Sequence, residues 1–207
     1  MPEILHKLFV ISSPSGGGKT SLIKEVFKDS RSADFDIAIS DTSRKKREGD
    51  KEGLDYNFVS KQEFVTRIQK EEYLEHAKVF DNLYGTSKKE VSLKLQKSNL
   101  ILELDWQGAF AIKEIYDQAK LIFIVPPSIK DLEERLEKRN LDSRTVILNR
   151  LKESKLEIEK AYNFDYLILN DNFDEALLEL KTILFSEVSS INFKSRVSKN
   201  HVKRLVE

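Results

Sequence analysis

Leu8-Phe9-Val10-Ile11 runs into Ser12-Ser13-Pro14-Ser15-Gly16-Gly17-Gly18-Lys19-Thr20, and that into Ser21-Leu22-Ile23-Lys24-Glu25-Val26-Phe27. An apolar run cut off by proline and clustered glycine, then followed by helix-spaced apolar residues, predicts a buried strand, a tight loop and a helix. Glycine lets a backbone come close to a ligand and adopt positive φ, so Gly16, Gly17 and Gly18 can turn several N–H groups towards one anion. A helix growing from Lys19 adds the positive end of its dipole. In such a loop Lys19 reaches β- and γ-phosphate oxygens and Thr20 offers its hydroxyl to Mg²⁺. The stretch fits the pattern G-x-x-x-x-G-K-[ST] except at its first position, where Ser13 stands. The steric demand there is for a small residue in a tight turn, which serine is expected to meet with some backbone strain. A glycine-rich turn with a solvated lysine is the rival reading, and the strand–loop–helix context argues against it.

The chain has 207 residues, 40% apolar and 34% charged, enough to bury a core without disulfides. It has no cysteine, which excludes disulfides and Cys-based zinc sites. Thirty-five basic residues balance thirty-five acidic ones, so no polyanion-binding signature is present and no nucleic-acid partner is expected. No apolar run approaches the roughly 18–20 residues of a membrane span, and no secretory leader is visible. The expectation is a soluble, cytoplasmic protein with no membrane partner; its oligomeric state is not legible.

Short apolar runs alternate with amphipathic stretches, the pattern of an α/β fold with a parallel sheet flanked by helices. Central strands are predicted at Leu8–Ser12, Asp36–Ser40, Leu100–Leu104, Leu121–Val125 and Tyr166–Leu169. Helices are predicted near 19–28, 107–118, 128–139, 142–162 and 173–188, with Ser128 as an N-cap before an acidic first turn. Residues 41–98 break this rhythm and read as a small mixed α+β insertion. It has strand pieces near 55–59 and 73–82, an amphipathic segment near 61–70 and a helix near 87–97. The basic tail beyond Ser189 reads as a solvated or helical terminus.

The second substrate must be read in that insertion. Arg44 and Arg47 stand three apart just past a strand, and arginine's fork suits phosphate. Tyr56 and Tyr84 each lie close to a glycine, where a hydroxyl could bind phosphate, and Glu75 lies between them in the chain. Taken singly, these read first as a solvated basic face, half-buried tyrosines and a surface glutamate.

In this order, Ser40, Thr42, Arg44, Arg47, Gly49, Gly53, Asp55, Tyr56, Phe58, Leu74-Glu75, Ala77 and Tyr84-Gly85-Thr86 resemble the guanylate kinase family. The resemblance continues through Asp105-Trp106-Gln107-Gly108, Pro126-Pro127-Ser128, Glu134-Arg135-Leu136 and Asn170-Asp171, covering about residues 8–185. It implies a single P-loop kinase domain with a core (1–40, 97–126 and 164–190), a GMP-binding insertion (41–96), a helical lid (127–163) and the tail (191–207). It further implies transfer of a phosphoryl group from ATP to GMP, and to dGMP, with Mg²⁺. By position, Ser13, Pro14, Ser15, Gly16, Gly17, Gly18, Lys19, Thr20, Arg135 and Asn170 would bind ATP, with Thr20 on the metal. Ser40, Glu75 and Thr86 would contact guanine with Asp105 nearby, and Arg44, Arg47, Tyr56 and Tyr84 would hold the GMP phosphate. Lys19, Arg44, Arg139 and Arg150 would be catalytic; on periodicity alone the lid arginines read as surface ion pairs. Guanine's chemistry agrees, since its N1–H and 2-amino donors suit a carboxylate and its O6 suits hydroxyls. The three histidines, His6, His76 and His201, have no ligand spacing and receive no role.

Four positions depart from the family pattern: Ser13, Lys46 for proline between the arginines, Asp50 for glutamate, and Glu103 for aspartate. Lys46 removes a fixed φ, so the Arg44–Arg47 loop is expected to be more mobile when empty. Glu103 keeps its charge but moves it outward by one methylene. The competing functions are a catalytically inactive guanylate-kinase-like interaction module and a P-loop kinase for another phosphorylated acceptor. An intact Lys19-Thr20 pair argues against the first, and the Glu75, Tyr84 and Thr86 set against the second.

Overall fold

The computed structural model describes residues 6–79, 81–138, 143–186 and 193–207. Strand β1 (Leu8–Ser12) is buried along its whole length, as its unbroken apolar run requires. It is the middle strand of a five-stranded sheet with β2 (Phe35–Ala38), β7 (Asn99–Glu103), β8 (Lys120–Val125) and β9 (Tyr166–Leu169), in the order β2-β7-β1-β8-β9. The β2–β7 and β8–β9 pairs are parallel. Helices α1 (Lys19–Val26), α4 (Trp106–Ile115), α5 (Ile129–Lys138), α6 (Arg144–Glu159) and α7 (Phe173–Phe185) follow the predicted order, most of them a few residues shorter than expected. Among the described residues no helix is long and apolar enough to cross a membrane.

Two compact units emerge from the contacts, one comprising the chain up to Val10 with Asp34–Ala119, the other Ile11–Ala33 with Lys120–Glu207. The first contains a second sheet, of order β4-β3-β6-β5, built from β3 (Asp41–Thr42), β4 (Asn57–Phe58), β5 (Tyr73–Val79) and β6 (Asn82–Ser87). Helices α2 (Lys61–Gln69) and α3 (Lys88–Leu95) both start on a Ser-x-x-Glu box. Ser60 accepts from the Glu63 amide and Ser87 from that of Glu90.

The charged sequence of this region conceals a buried polar centre. Asp41, 2% exposed, accepts hydrogen bonds from Arg67 (2.5 Å), from the Tyr73 hydroxyl (2.8 Å) and from Asn57 (3.0 Å). Replacing it by alanine strands three donors at once. Breaking a buried charge pair on one side costs about 3 kcal/mol, so Asp41→Ala should lower the urea midpoint by that equivalent. A midpoint shift equivalent to under about 1 kcal/mol, the scale of an exposed ion pair, would show that water replaces Asp41.

The basic residues Lys194, Arg196, Lys203 and Arg204 of the tail are exposed, yet Arg196 ties the tail back to the chain. Arg196 pairs with Asp171 (2.9 Å), Glu175 (2.8 Å) and Glu179 (2.6 Å), and donates to the Leu169 carbonyl (2.8 Å). Beyond it α8 (Lys199–Val206) packs on α6 with Val202 and Leu205 buried, so the helical alternative is the one observed.

Candidate active site

The glycine loop lies in the second unit, between β1 and α1. Gly16 (φ 86°) and Gly18 (φ 94°) are left-handed, a conformation other residues adopt only under strain. Gly18 is the N-cap of α1 and, having no side chain, adds no side-chain capping hydrogen bond there. Lys19 opens the helix half-buried and Thr20 is exposed beside it.

Ser13 finds its room in Gly17. A Cβ on Gly17 would lie 2.9 Å from the Cβ of Ser13, so the extra side chain at one position is accommodated by the missing one at the other. The Ser13 hydroxyl donates to the Pro14 carbonyl (3.1 Å), and that carbonyl also receives the Gly17 amide (2.9 Å). Asn170, 4% exposed, braces the loop by donating its side-chain amide to the Gly17 carbonyl at 2.8 Å. A Cβ on Gly18 would collide with that amide at 2.3 Å. Arg135 on α5 donates to the Asn170 carbonyl (3.0 Å), so both predicted residues sit at the loop or one contact from it. Ser15 is half-buried and Pro14 buried in the same turn. Ser128 accepts the Asp131 amide and donates to its carboxylate, the expected N-terminal capping of α5. Arg150 is buried on α6 (9% exposed), whereas Arg139 lies outside the described residues.

The remaining candidates lie in the first unit. A β-bulge between Tyr73 and Glu75 shifts the β5–β6 register by one residue and sets Glu75 opposite Thr86. Without it Glu75 would face Gly85. The Thr86 hydroxyl donates to Glu75 Oε1 at 2.6 Å, and the Ser40 hydroxyl lies 3.5 Å from that of Thr86. All three are buried. Burial, supported by the nearby Asp105 charge and opposed by the Thr86 hydrogen bond, pushes the Glu75 carboxyl up to about 7. Asp105 is the N-cap of α4, its carboxylate accepting the Gly108 amide (2.9 Å) and the Gln107 side chain (3.1 Å). Its own acceptor capacity is therefore partly used within the helix start. The Thr86 hydroxyl likewise directs its one hydrogen bond to Glu75, so it presents lone pairs rather than a donor to a base.

Arg44 is 9% exposed, and its guanidinium lies 5.4 Å from the ring centres of both Tyr56 and Phe58. It donates to Asp50 (2.9 Å) and to the Lys45 carbonyl (3.0 Å), and Asp50 also accepts the Arg47 amide (2.7 Å). Burial works against the Arg44 charge, but the Asp50 carboxylate with Tyr84 and Tyr56 more than offsets it. Burial also works against the Asp50 charge, and Arg44 and Arg47 together hold that carboxyl below its ordinary value. The loop that lacks proline at Lys46 is thus cross-tied by Asp50. Nothing in the sequence marked this carboxylate except its departure from the family's glutamate. Tyr56 and Tyr84 pack edge to face at 5.7 Å, and burial first, with the Glu103 charge, raises the Tyr56 hydroxyl so that it stays protonated. Glu103 ends β7, half-buried. The structure therefore gathers Ser40, Glu75 and Thr86 into one cluster and Arg44 and Tyr56 into another.

The family model described as Guanylate kinase matches residues 5–187. A guanylate kinase of Hahella chejuensis is 46% identical over 182 residues, covering 87% of this chain and 86% of the relative. One from Vibrio parahaemolyticus is 44% identical, with 87% of each chain covered. The crystal structure of guanylate kinase from Anaplasma phagocytophilum superposes with a TM-score of 0.71 at 32% identity, covering 88% of this chain and 86% of that one. With the glycine loop, the bulged Glu75 strand and the Arg44 loop all in the matched span, the chain belongs to the guanylate kinase family.

Proposed function

We propose that this protein is a cytoplasmic enzyme of purine nucleotide metabolism that transfers the γ-phosphoryl of ATP to GMP or dGMP, giving ADP and GDP or dGDP. The observation that carries the acceptor is the Glu75–Thr86–Ser40 cluster. A buried carboxylate oriented by one hydroxyl matches the adjacent N1–H and 2-amino donors of guanine. Adenine has no donors at those two positions and would leave the carboxylate unpaired.

The acceptor's phosphate oxygen attacks the γ-phosphorus, and the bond from that phosphorus to the β,γ-bridging oxygen breaks, leaving ADP. No protein base is needed, because the attacking oxygen is already an anion at pH 7. The protein's part is to position two anions and offset their charge. Loop amides from Gly16 to Gly18 and the Lys19 ammonium take the donor's phosphates. Arg44, Arg47, Tyr56 and Tyr84 take the acceptor's. Arg150 and Arg139, with Arg135 as a third, meet the charge of the transferring group on closure of the α5–α6 region.

Thr20, a hard-oxygen ligand at the loop's end, would hold Mg²⁺, which neutralises the β- and γ-phosphates when bound. Among the described residues no group of three or more histidine, aspartate or glutamate side chains is arranged to hold a metal ion. That fits an ion bound chiefly by phosphate and water oxygens.

ADP production from ATP and Mg²⁺ with GMP, dGMP, AMP, CMP and UMP in parallel tests the reading. GMP and dGMP should be the substrates. Folded protein without GMP turnover would return the chain to the non-catalytic interaction module, and AMP preference would refute the role of Glu75. Arg44→Ala should raise the GMP KM roughly 10–100-fold, the scale of one or two hydrogen bonds to a charged group, and the ATP KM much less. Equal rises in both would remove Arg44 from the acceptor site.

A further inference from the structure

Helix α4 carries Gly108 in its first turn, where alanine is the better helix former. Its backbone is not among the left-handed glycines, so conformation does not require it. What requires it is a neighbour. A Cβ at position 108 would stand 2.8 Å from Glu75 Oε2, closer than a Cβ approaches another atom in proteins, and 3.2 Å from its Cδ, a tight contact. The carboxylate of Glu75 lies in the space of the missing methyl group. Its other oxygen is held by the Thr86 hydroxyl at 2.6 Å, and the residue is only 7% exposed.

We propose that Gly108 is a positioning residue for acceptor recognition: by lacking a side chain it fixes where the Glu75 carboxylate lies, and so how well guanine is distinguished from other bases. The inference rests on Glu75 being the guanine carboxylate. Its physical content is an asymmetry in what yields. The nearest backbone-linked atom, Leu104 Cβ, would be 3.3 Å from the added methyl, a contact that small adjustments relieve. The tip of Glu75 is the part that must move. With Oε1 held by Thr86 and the residue buried, that movement draws the carboxylate away from Thr86 or from the place of the base. Fold and recognition therefore respond differently to one methyl group.

Steady-state kinetics on Gly108→Ala should show the GMP KM raised roughly 10–100-fold, the loss of one hydrogen bond to a charged group. The ATP KM and the melting temperature should stay near wild type, and the preference for GMP over AMP should shrink. A second pair isolates the cause. Glu75→Asp withdraws the carboxylate by one methylene, so adding Gly108→Ala to that variant should change the GMP KM far less than it does in wild type. In a Glu75→Ala background, Gly108→Ala should leave the melting temperature unchanged or raised.

An unchanged GMP KM in Gly108→Ala, strictly additive effects with Glu75→Asp, or destabilisation persisting in the Glu75→Ala background would each overturn the inference. Wild-type protein that turns over no GMP overturns the functional reading and this inference together. Normal wild-type turnover with any of those three results overturns this inference alone.

Discussion

Lys19→Ala should lower turnover by roughly 10²–10⁴-fold, the scale seen when a preorganised charge is removed from a phosphoryl-transfer or oxyanion site. GMP affinity, measured by calorimetry without ATP, should stay within about twofold. The reason is a division of labour visible in the fold. Lys19 is the first residue of α1, set by a loop whose conformation comes from Gly16, Gly18 and the Asn170 brace, all in the second compact unit. Glu75, Thr86 and Arg44 belong to the first. Alanine is a good residue for a first helical turn, so the helix and its amides survive the change. The loop should keep donors for ATP but lose the one mobile charge that follows the γ-phosphoryl into the transition state. The effect should therefore appear in kcat more than in the ATP KM. A GMP affinity that fell in step with the rate would show the two substrate sites to be energetically coupled through Lys19.

How much of this was legible in the sequence depends on the range of the forces involved. β1 and the loop after it are specified locally: an unbroken apolar run has to be buried, and clustered glycine has to turn. The helix starts at Ser60, Ser87 and Ser128 are local too, each a hydroxyl accepting an amide three residues on. β6 was not legible. Its Asn82-Leu83-Tyr84-Gly85-Thr86-Ser87 has weak strand propensity, and Gly85 reads as a turn. It is a strand because Gly85 lies under Phe64 and Tyr73, where a Cβ would come within 2.9–3.0 Å of their rings. The same holds for Arg196, whose three carboxylate partners lie 17 to 25 residues earlier, so composition could register only its charge. At the site, the motif residues were legible but their mutual bonds were not. Arg44 to Asp50, Thr86 to Glu75 and Asn170 to the Gly17 carbonyl join segments whose approach only the fold decides.

Glu75→Gln should trade function for stability. The Glu75 carboxyl is pushed from its ordinary 4.5 to about 7, chiefly by burial. A carboxyl with a folded value above its unfolded one binds more protons in the native state between those limits. Its neutral form is thus no burden at pH 4, and stability is lost as pH rises from about 4.5 to about 7. Above that window the empty enzyme carries the whole cost, about 3 kcal/mol, because each pH unit of the window contributes about 1.36 kcal/mol. Glutamine keeps the shape and can still accept from Thr86, but does not ionise. The variant should be about 2–3 kcal/mol more stable than wild type at pH 8 and nearly equal to it at pH 4, as read from urea midpoints. Guanine reverses the preference, because its two donors need two acceptors and the amide offers one acceptor and one opposing donor. The GMP KM should rise roughly 10²–10³-fold. Wild-type GMP binding should tighten as pH rises through about 7 and Glu75 charges. The GMP phosphate itself titrates near pH 6, so the comparison that isolates Glu75 is wild type minus variant, in which the phosphate contribution cancels. A stability gain of equal size at pH 4 and pH 8 would mean that packing, not charge, separates the two proteins. If that difference in pH dependence vanished, Glu75 could not be the titrating partner of the base.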